Sequence, residues 1–243
     1  MKIVVGIVTY NTPIQCLQKL TRDLRTEPGV ETVVLCNSPD PVYRSSLSVL
    51  EGDVVLKFSE NKGFGAGHNQ IFGDTRPDWY VCCNPDIGYR AGVIPGLIEA
   101  AESVPRPGLV SPGVRDPETL RELPMRPYLS LKEVVVKNLF KKQIQKGSEL
   151  APGIFQIQFV SGCFFVVSKR VFEEVGGFDE KFFLYCEDAD LSLRVGERYP
   201  NLQVSTIWVD HDGQHASRKS VRMAFYHISS LTRYIGKHRR FFG

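Results

Sequence analysis

Glu187, Asp188 and Asp190 follow a run of aromatic and apolar residues, Phe182-Phe183-Leu184-Tyr185-Cys186, and open a segment of helical spacing, Leu191-Ser192-Leu193-Arg194-Val195. Carboxylates at a helix start are stabilised by unpaired N–H groups and by the helix dipole, so one reading is an N-terminal cap. The aromatic approach points to chemistry. Held against an apolar wall, one of these carboxylates can act as a general base.

Five other polar motifs occur upstream and downstream. Thr9-Tyr10-Asn11 and Cys36-Asn37-Ser38 each end an apolar run, where their side chains either make turns or face a nucleobase. Glu60-Asn61-Lys62-Gly63-Phe64-Gly65-Ala66-Gly67-His68-Asn69 alternates glycines, which let a backbone approach a ligand ahead of a helix N-terminus. It is neither the dinucleotide pattern nor a phosphate-binding Gly-Lys-Ser/Thr loop. Asn84-Pro85-Asp86 ends another apolar run: Asp86 suits a divalent cation shared with a diphosphate, and Asn84 suits a ribose. In Val209-Asp210-His211-Asp212-Gly213-Gln214-His215, His211 is a candidate second metal ligand and His215 a candidate diphosphate contact. No closely spaced His/Cys set suggests zinc.

The elements that must position these groups alternate. Ile3–Thr9, Thr32–Cys36, Val54–Phe58 and Trp79–Cys83 read as strands, with helices at Ile14–Arg25 and Gly67–Phe72. Uniformly apolar short strands separated by helices predict an α/β fold with a parallel sheet covered on both faces. Ligands of such sheets bind beyond the carboxyl ends of the strands, where the motifs fall. Further on, Ser130–Lys146 reads as helical, Gln156–Val167 as one or two strands, Arg170–Val175 and Asp188–Tyr199 as helices and Val204–Val209 as a strand. Pro105–Pro127 reads as loops and residues 217–240 as a final basic, aromatic helix.

With 243 residues, 42% hydrophobic and 23% charged, the chain can bury a full core as one domain. A net charge of +3 gives no case for nucleic acid. No signal peptide or membrane span is read, and six cysteines without metal spacing suit reduced thiols in the cytoplasm. Basic and aromatic residues interleave at Val134–Lys146 and Tyr234–Phe242, either as solvated helix faces or as contacts to an anionic membrane.

Taken together, these motifs resemble the family 2 glycosyltransferases of the GT-A fold. Within that family the chain looks most like bacterial enzymes that transfer L-rhamnose from dTDP-rhamnose. The resemblance runs through Thr9-Tyr10-Asn11, Asn61–Asn69, Asn84-Pro85-Asp86 in place of the family's Asp-x-Asp, Ser161-Gly162, Gly176-Gly177-Phe178-Asp179-Glu180, and Glu187-Asp188-Ala189-Asp190-Leu191 with Arg194. The tail, His211 through Ser217 and on to Tyr226-His227 and Lys237-His238, resembles the rhamnosyltransferase branch.

The resemblance implies a Rossmann-like GT-A domain over residues 1–216, with residues 217–243 as a C-terminal helix packed on it. It implies inversion, with Asp188 as general base and Glu187 and Asp190 orienting the acceptor or holding the helix start. The donor would meet Thr9, Tyr10, Asn11, Asn37, Asn61, Gly63, Gly65, Asn69, Asn84, Asp86, His215 and Arg218. Mg²⁺ or Mn²⁺ would sit on Asp86 and His211; without a cation, Arg218 or Lys219 would neutralise the leaving group. Cys36 stands where many relatives have Asp, which leaves base contact to Asn37 or Asn61. The expected partners are dTDP-L-rhamnose and a lipid-linked glycan acceptor for cell-surface polysaccharide, at the inner face of the cell membrane. A UDP-sugar donor, or an inactive sugar-nucleotide-binding module, is the alternative.

Overall fold

The computed structural model describes residues 1–122, 147–211 and 221–241. β1 (Ile3–Thr9), β2 (Val30–Cys36), β3 (Val55–Phe58) and β4 (Trp79–Cys83) lie parallel in the order β3-β2-β1-β4. Every residue of β1 and β4 is buried, as their unbroken apolar runs require when both sheet faces are covered.

Alternation of side chains along each strand divides the interior into two cores. Val5 and Ile7 of β1 and Val81 and Cys83 of β4 face α1 (Ile14–Leu24), which buries Leu17, Leu20 and Leu24. Val4, Val8, Tyr80 and Cys82 point the other way, toward Ile71 and Phe72 of α3 (Phe64–Thr75). Asp40 caps α2 (Pro41–Ser46) by accepting from Val42 N at 2.9 Å, and Pro41 takes the first helical position.

Beyond β4 the sheet becomes mixed and, among the described residues, reaches ten strands. β5 (Ile87–Gly88) and α4 (Val93–Glu102) precede β6 (Val110–Arg115). After the undescribed stretch come β7 (Ser148–Ala151), β8 (Ile154–Ile157), β9 (Phe164–Ser168), α5 (Lys169–Glu174), α6 (Glu187–Gly196), β10 (Asn201–His211) and α7 (Val221–Lys237). β9 lies antiparallel between β4 and β6, and β10 runs parallel to β6.

Some expectations need correction. Pro105–Pro127 was read as loops, yet it holds β6. Pro112 sits where β10 bulges between Val204 and Trp208, a place where a strand tolerates a residue without an N–H. α4 escaped the sequence reading although Val93, Ile94, Leu97, Ile98 and Ala101 are buried at helical spacing. The helix read at Ser130–Lys146 falls outside the described residues.

Candidate active site

Register brings the polar ends of three strands to one edge, with Thr9 beside Cys36 and Ile7 beside Cys83. There the side chains divide between open and committed. Tyr10 is half exposed, and Asn37 is buried with its Oδ1 lacking a hydrogen-bond partner. Thr9 was expected at the donor but is buried, its hydroxyl 2.7 Å from Tyr43 Oη. Asn11 takes a left-handed φ of 56° and accepts from Ser38 Oγ at 2.5 Å, which ties the β1 and β2 ends together. Arg44 donates to Ser38 O at 2.6 Å and to Ser59 O at 3.3 Å, and its guanidinium stacks on Phe58. Sequence reading missed Tyr43 and Arg44; the Asp40-Pro41 helix start was the available signal.

The glycine segment is a second correction. A Cβ on Gly65 would lie 2.8 Å from Phe178 Cβ, and one on Gly67 2.8 Å from Val8 Cγ2. Gly63, at φ 106°, packs against the Phe183 backbone, and Phe64 N donates to Phe183 O at 3.1 Å. These glycines admit protein rather than phosphate. Asn61 accepts from Gly63 N at 3.1 Å and stays exposed. Asn69 was expected at the donor as well. Its amide instead bonds both the N–H and the carbonyl of Phe178, each at 2.9 Å, and Glu180 at 3.0 Å. Beside it His68 is fully buried, 2.7 Å from Tyr80 Oη, and burial pushes its pKa down to about 3, so the ring is neutral.

Asp86 and His211 meet as expected. β5 pairs with the end of β10, setting His211 opposite Ile87 and its Nε2 3.3 Å from Asp86 Oδ1. That contact falls short of hydrogen-bond geometry, which leaves a buried carboxylate oxygen with no partner. Asp210 next door is held at 3.0 Å by both Arg90 and Arg115, pinning this strand end. An unsatisfied carboxylate oxygen facing an imidazole nitrogen fits two ligands of a hard divalent cation. Among the described residues no cluster of three or more His, Cys, Asp or Glu exists, so a cation here would need further oxygens from a ligand or water.

The acidic segment opens α6 through a strained turn. Tyr185 and Cys186 adopt φ of 71° and 63°, a left-handed pair that costs roughly 1–3 kcal/mol each in non-glycine residues. Its surroundings hold it in place. Ser230 of α7 donates to Leu184 O at 2.7 Å, the Tyr185 ring lies 5.1 Å from His227, and Cys186 packs with Phe182, Ala189, Leu193 and Tyr234.

Asp188 emerges from this turn partly exposed. Its Oδ2 accepts from Gly162 N at 3.0 Å and its Oδ1 from Ala189 N at 2.8 Å. The neighbouring Cys163 carbonyl accepts from Asn84 N at 2.8 Å, so one loop supports both Asp188 and the Asn84-Pro85-Asp86 turn. Burial raises the Cys163 thiol to about 11, and the nearby carboxylates of Asp188 and Asp86 push the same way. Glu187 is buried with an unpartnered Oε2; burial, and then the charge of Asp188, push its pKa up to about 8.

Asp190 does not fit its expected role. It is fully buried, bonded to Arg194 Nε at 2.7 Å, His238 Nε2 at 2.8 Å and Lys237 Nζ at 2.6 Å. It latches α7 to α6 and is out of an acceptor's reach. Arg194 also donates to the carbonyls of Val175 and Gly177, fastening the Gly176-Gly177 turn. His215 and Arg218 fall outside the described residues.

No family model matches the chain. It is 27% identical over 231 residues to N-acetylglucosaminyl-diphospho-decaprenol L-rhamnosyltransferase of Mycobacterium tuberculosis, covering 85% of this chain and 75% of that one. It is 28% identical over 238 residues to rhamnosyltransferase WbbL of Escherichia coli K12, covering 92% and 89%. Among solved structures, the mannosyltransferase PcManGT from Pyrobaculum calidifontis in complex with GDP-Man and Mn²⁺ superposes with TM-score 0.65 at 15% identity, over 98% of this chain and 64% of that one. GalNAc-T7 with UDP, GalNAc and Mn²⁺ gives 0.63 at 13%, over 86% and 43%. The chain thus spans less than two thirds of each of those longer proteins. With relatives and fold in agreement, the chain is a glycosyltransferase of the GT-A fold, similar to the family 2 rhamnosyltransferases.

Proposed function

We propose that the chain transfers L-rhamnose from dTDP-β-L-rhamnose, with inversion, to a lipid-linked glycan acceptor during assembly of cell-surface polysaccharide. It would work in the cytoplasm, at the inner face of the cell membrane. The observation that carries this reading is the shared loop. Gly162 N orients Asp188 while Cys163 O supports the turn bearing Asp86, so a base and a leaving-group site are held by one piece of backbone. Asp188 takes the proton of the acceptor hydroxyl as its oxygen attacks the anomeric carbon, and the bond to the diphosphate breaks on the opposite face. Glu187 holds its own proton near neutral pH and serves to position rather than to accept. Asp86 and His211 fit a divalent cation, Mg²⁺ or Mn²⁺, which when bound supplies charge neutralisation at the departing diphosphate. Tyr10, Asn37, Asn61 and Asn84 remain as the donor contacts, and an acceptor of the diphospho-polyprenol kind accords with one relative's name.

Purified protein given dTDP-β-L-rhamnose or a UDP-hexose without acceptor tests the donor. Release of dTDP at least about tenfold faster than UDP is expected. Faster release of UDP would reassign the donor, and release of neither would favour a binding module. Asp86→Ala should weaken dTDP binding in Mn²⁺ and leave it unchanged in EDTA, read as a thermal shift.

A further inference from the structure

α7 has two faces with different occupants. Tyr226, Ser230, Tyr234 and His238 form one stripe at helical spacing, and it lies against the acidic segment. Tyr226 stacks on Phe183 at 4.9 Å, Ser230 holds Leu184, and Tyr234 and His238 are buried. Within Tyr234–Phe242, expected at a membrane, Tyr234 and His238 therefore point inward. Lys237 is likewise engaged, with Asp179 at 2.7 Å and Asp190 at 2.6 Å, and Arg240 pairs with Glu197.

The opposite face exposes large apolar side chains. Phe225 and Ile228, one turn apart, are 67% and 66% exposed; Arg233 is exposed at the flank of the helix and Arg239 on its 3₁₀ continuation. From Gly213 to the C-terminus the sequence contains no Asp or Glu. A soluble helix face ordinarily mixes both signs of charge; an acid-free helix with protruding aromatic and aliphatic side chains complements a surface that is anionic outside and apolar beneath.

We infer that the outer face of α7 docks on an anionic lipid bilayer, with Phe225 and Ile228 entering the headgroup boundary and Arg233 and Arg239 meeting lipid phosphates. No helix among the described residues is long and apolar enough to cross a membrane, so the attachment is by this face. The inner stripe of the same helix braces Phe183, Leu184 and Tyr185, which lead directly into Glu187-Asp188. Docking therefore sets the base at a fixed height and tilt above the lipid. The inference rests on the peripheral location proposed above but requires no particular sugar or acceptor.

The test is sedimentation of the full chain with vesicles of phosphatidylglycerol and phosphatidylethanolamine, containing neither donor nor acceptor. Wild-type protein should pellet at low salt, release as salt rises, and ignore phosphatidylcholine. Phe225→Ser with Ile228→Ser should lower the partition coefficient about tenfold or more. Arg233→Gln and Arg239→Gln should each lower it about fivefold, and all these variants should keep wild-type nucleotide-sugar hydrolysis. In a separate variant, Phe225→Trp, emission should shift to the blue on vesicle addition, a readout that needs no loss of binding. Wild-type protein that stays in solution at low ionic strength, or a Phe225/Ile228 variant that pellets like wild type, overturns the inference. Loss of self-association rather than of vesicle binding in that variant also overturns it and assigns the face to a second copy. Because no sugar is present, failure here leaves the transferase reading standing, and failure of the donor assay leaves this one standing.

Discussion

Asp188 and Asp190 lie two residues apart on α6, yet they occupy opposite environments. A helix turns about 100° per residue, so the two side chains leave it about 200° apart. Asp188 faces the sheet edge, where backbone N–H groups of Gly162 and Ala189 hold it. Asp190 faces inward to Arg194, Lys237 and His238 with no exposed surface. A carboxylate surrounded by cations and fully buried is a structural anchor; one held by backbone donors and partly exposed can meet a ligand. The difference separates chemistry from architecture within a single turn of helix.

The largest expected effect tests the open side. Asp188→Asn keeps the shape while removing the proton acceptor, and turnover should fall about 10²- to 10⁴-fold with donor affinity retained. The amide can replace only one of the two carboxylate acceptors, so a small fall in melting temperature should accompany the loss of turnover. Turnover within about threefold of wild type would move the base elsewhere, with Glu187 the nearest carboxylate.

On the anchored side the sensitivities should reverse. Asp190→Ala leaves the Arg194 cation without its carboxylate partner and Lys237 with Asp179 alone. Breaking a buried pair from one side costs about 3–5 kcal/mol. Denaturant unfolding should show that loss, and limited proteolysis should cut within α7 before the rest of the chain. Any protein that remains folded should retain donor hydrolysis far better than Asp188→Asn. An Asp190→Ala protein as stable as wild type would mean that α7 is not latched through this contact.

The contrast also explains what the sequence could and could not reveal. Strands β1 and β4 were legible because each is an apolar run, β2 and β3 because theirs are only briefly interrupted, and the polar ends marked the edge where the candidate site lies. Asp86 with His211, and Asp188 at a helix start, followed from residue types at those ends. The partners of Asp190 did not, since Lys237 and His238 come from a helix far along the chain and only tertiary packing unites them. Gly65 and Gly67 misled for a related reason. A glycine needed for close approach looks the same whether a phosphate or Phe178 and Val8 is the neighbour. Asn69 likewise gives no sign in the sequence that Phe178 will use up its amide.

Glu187 lies between the two environments and supplies the finest test, a pH slope. It is buried like Asp190 but has no cation bonded to it among the described residues, and burial together with the adjacent Asp188 raises its pKa from 4.5 to about 8. Between those values the native state keeps the proton while the unfolded chain has released it. The native state thus binds more protons than the unfolded state, so stability must fall as pH rises. One fully differential proton corresponds to about 1.4 kcal/mol for each pH unit. The contribution is complete below about pH 4.5 and exhausted once pH passes 8. Glu187→Gln cannot lose that proton, so its stability relative to wild type should climb steadily from pH 5 to 8, read from paired denaturant curves. In an Asp188→Asn background the like charge is gone while burial remains. The raised pKa should relax partway, and the gain from Glu187→Gln should level off at a lower pH. A stability difference flat across pH 5–8 would show Glu187 ionised in the folded protein, making it a second base beside Asp188 and erasing the division of labour along this helix.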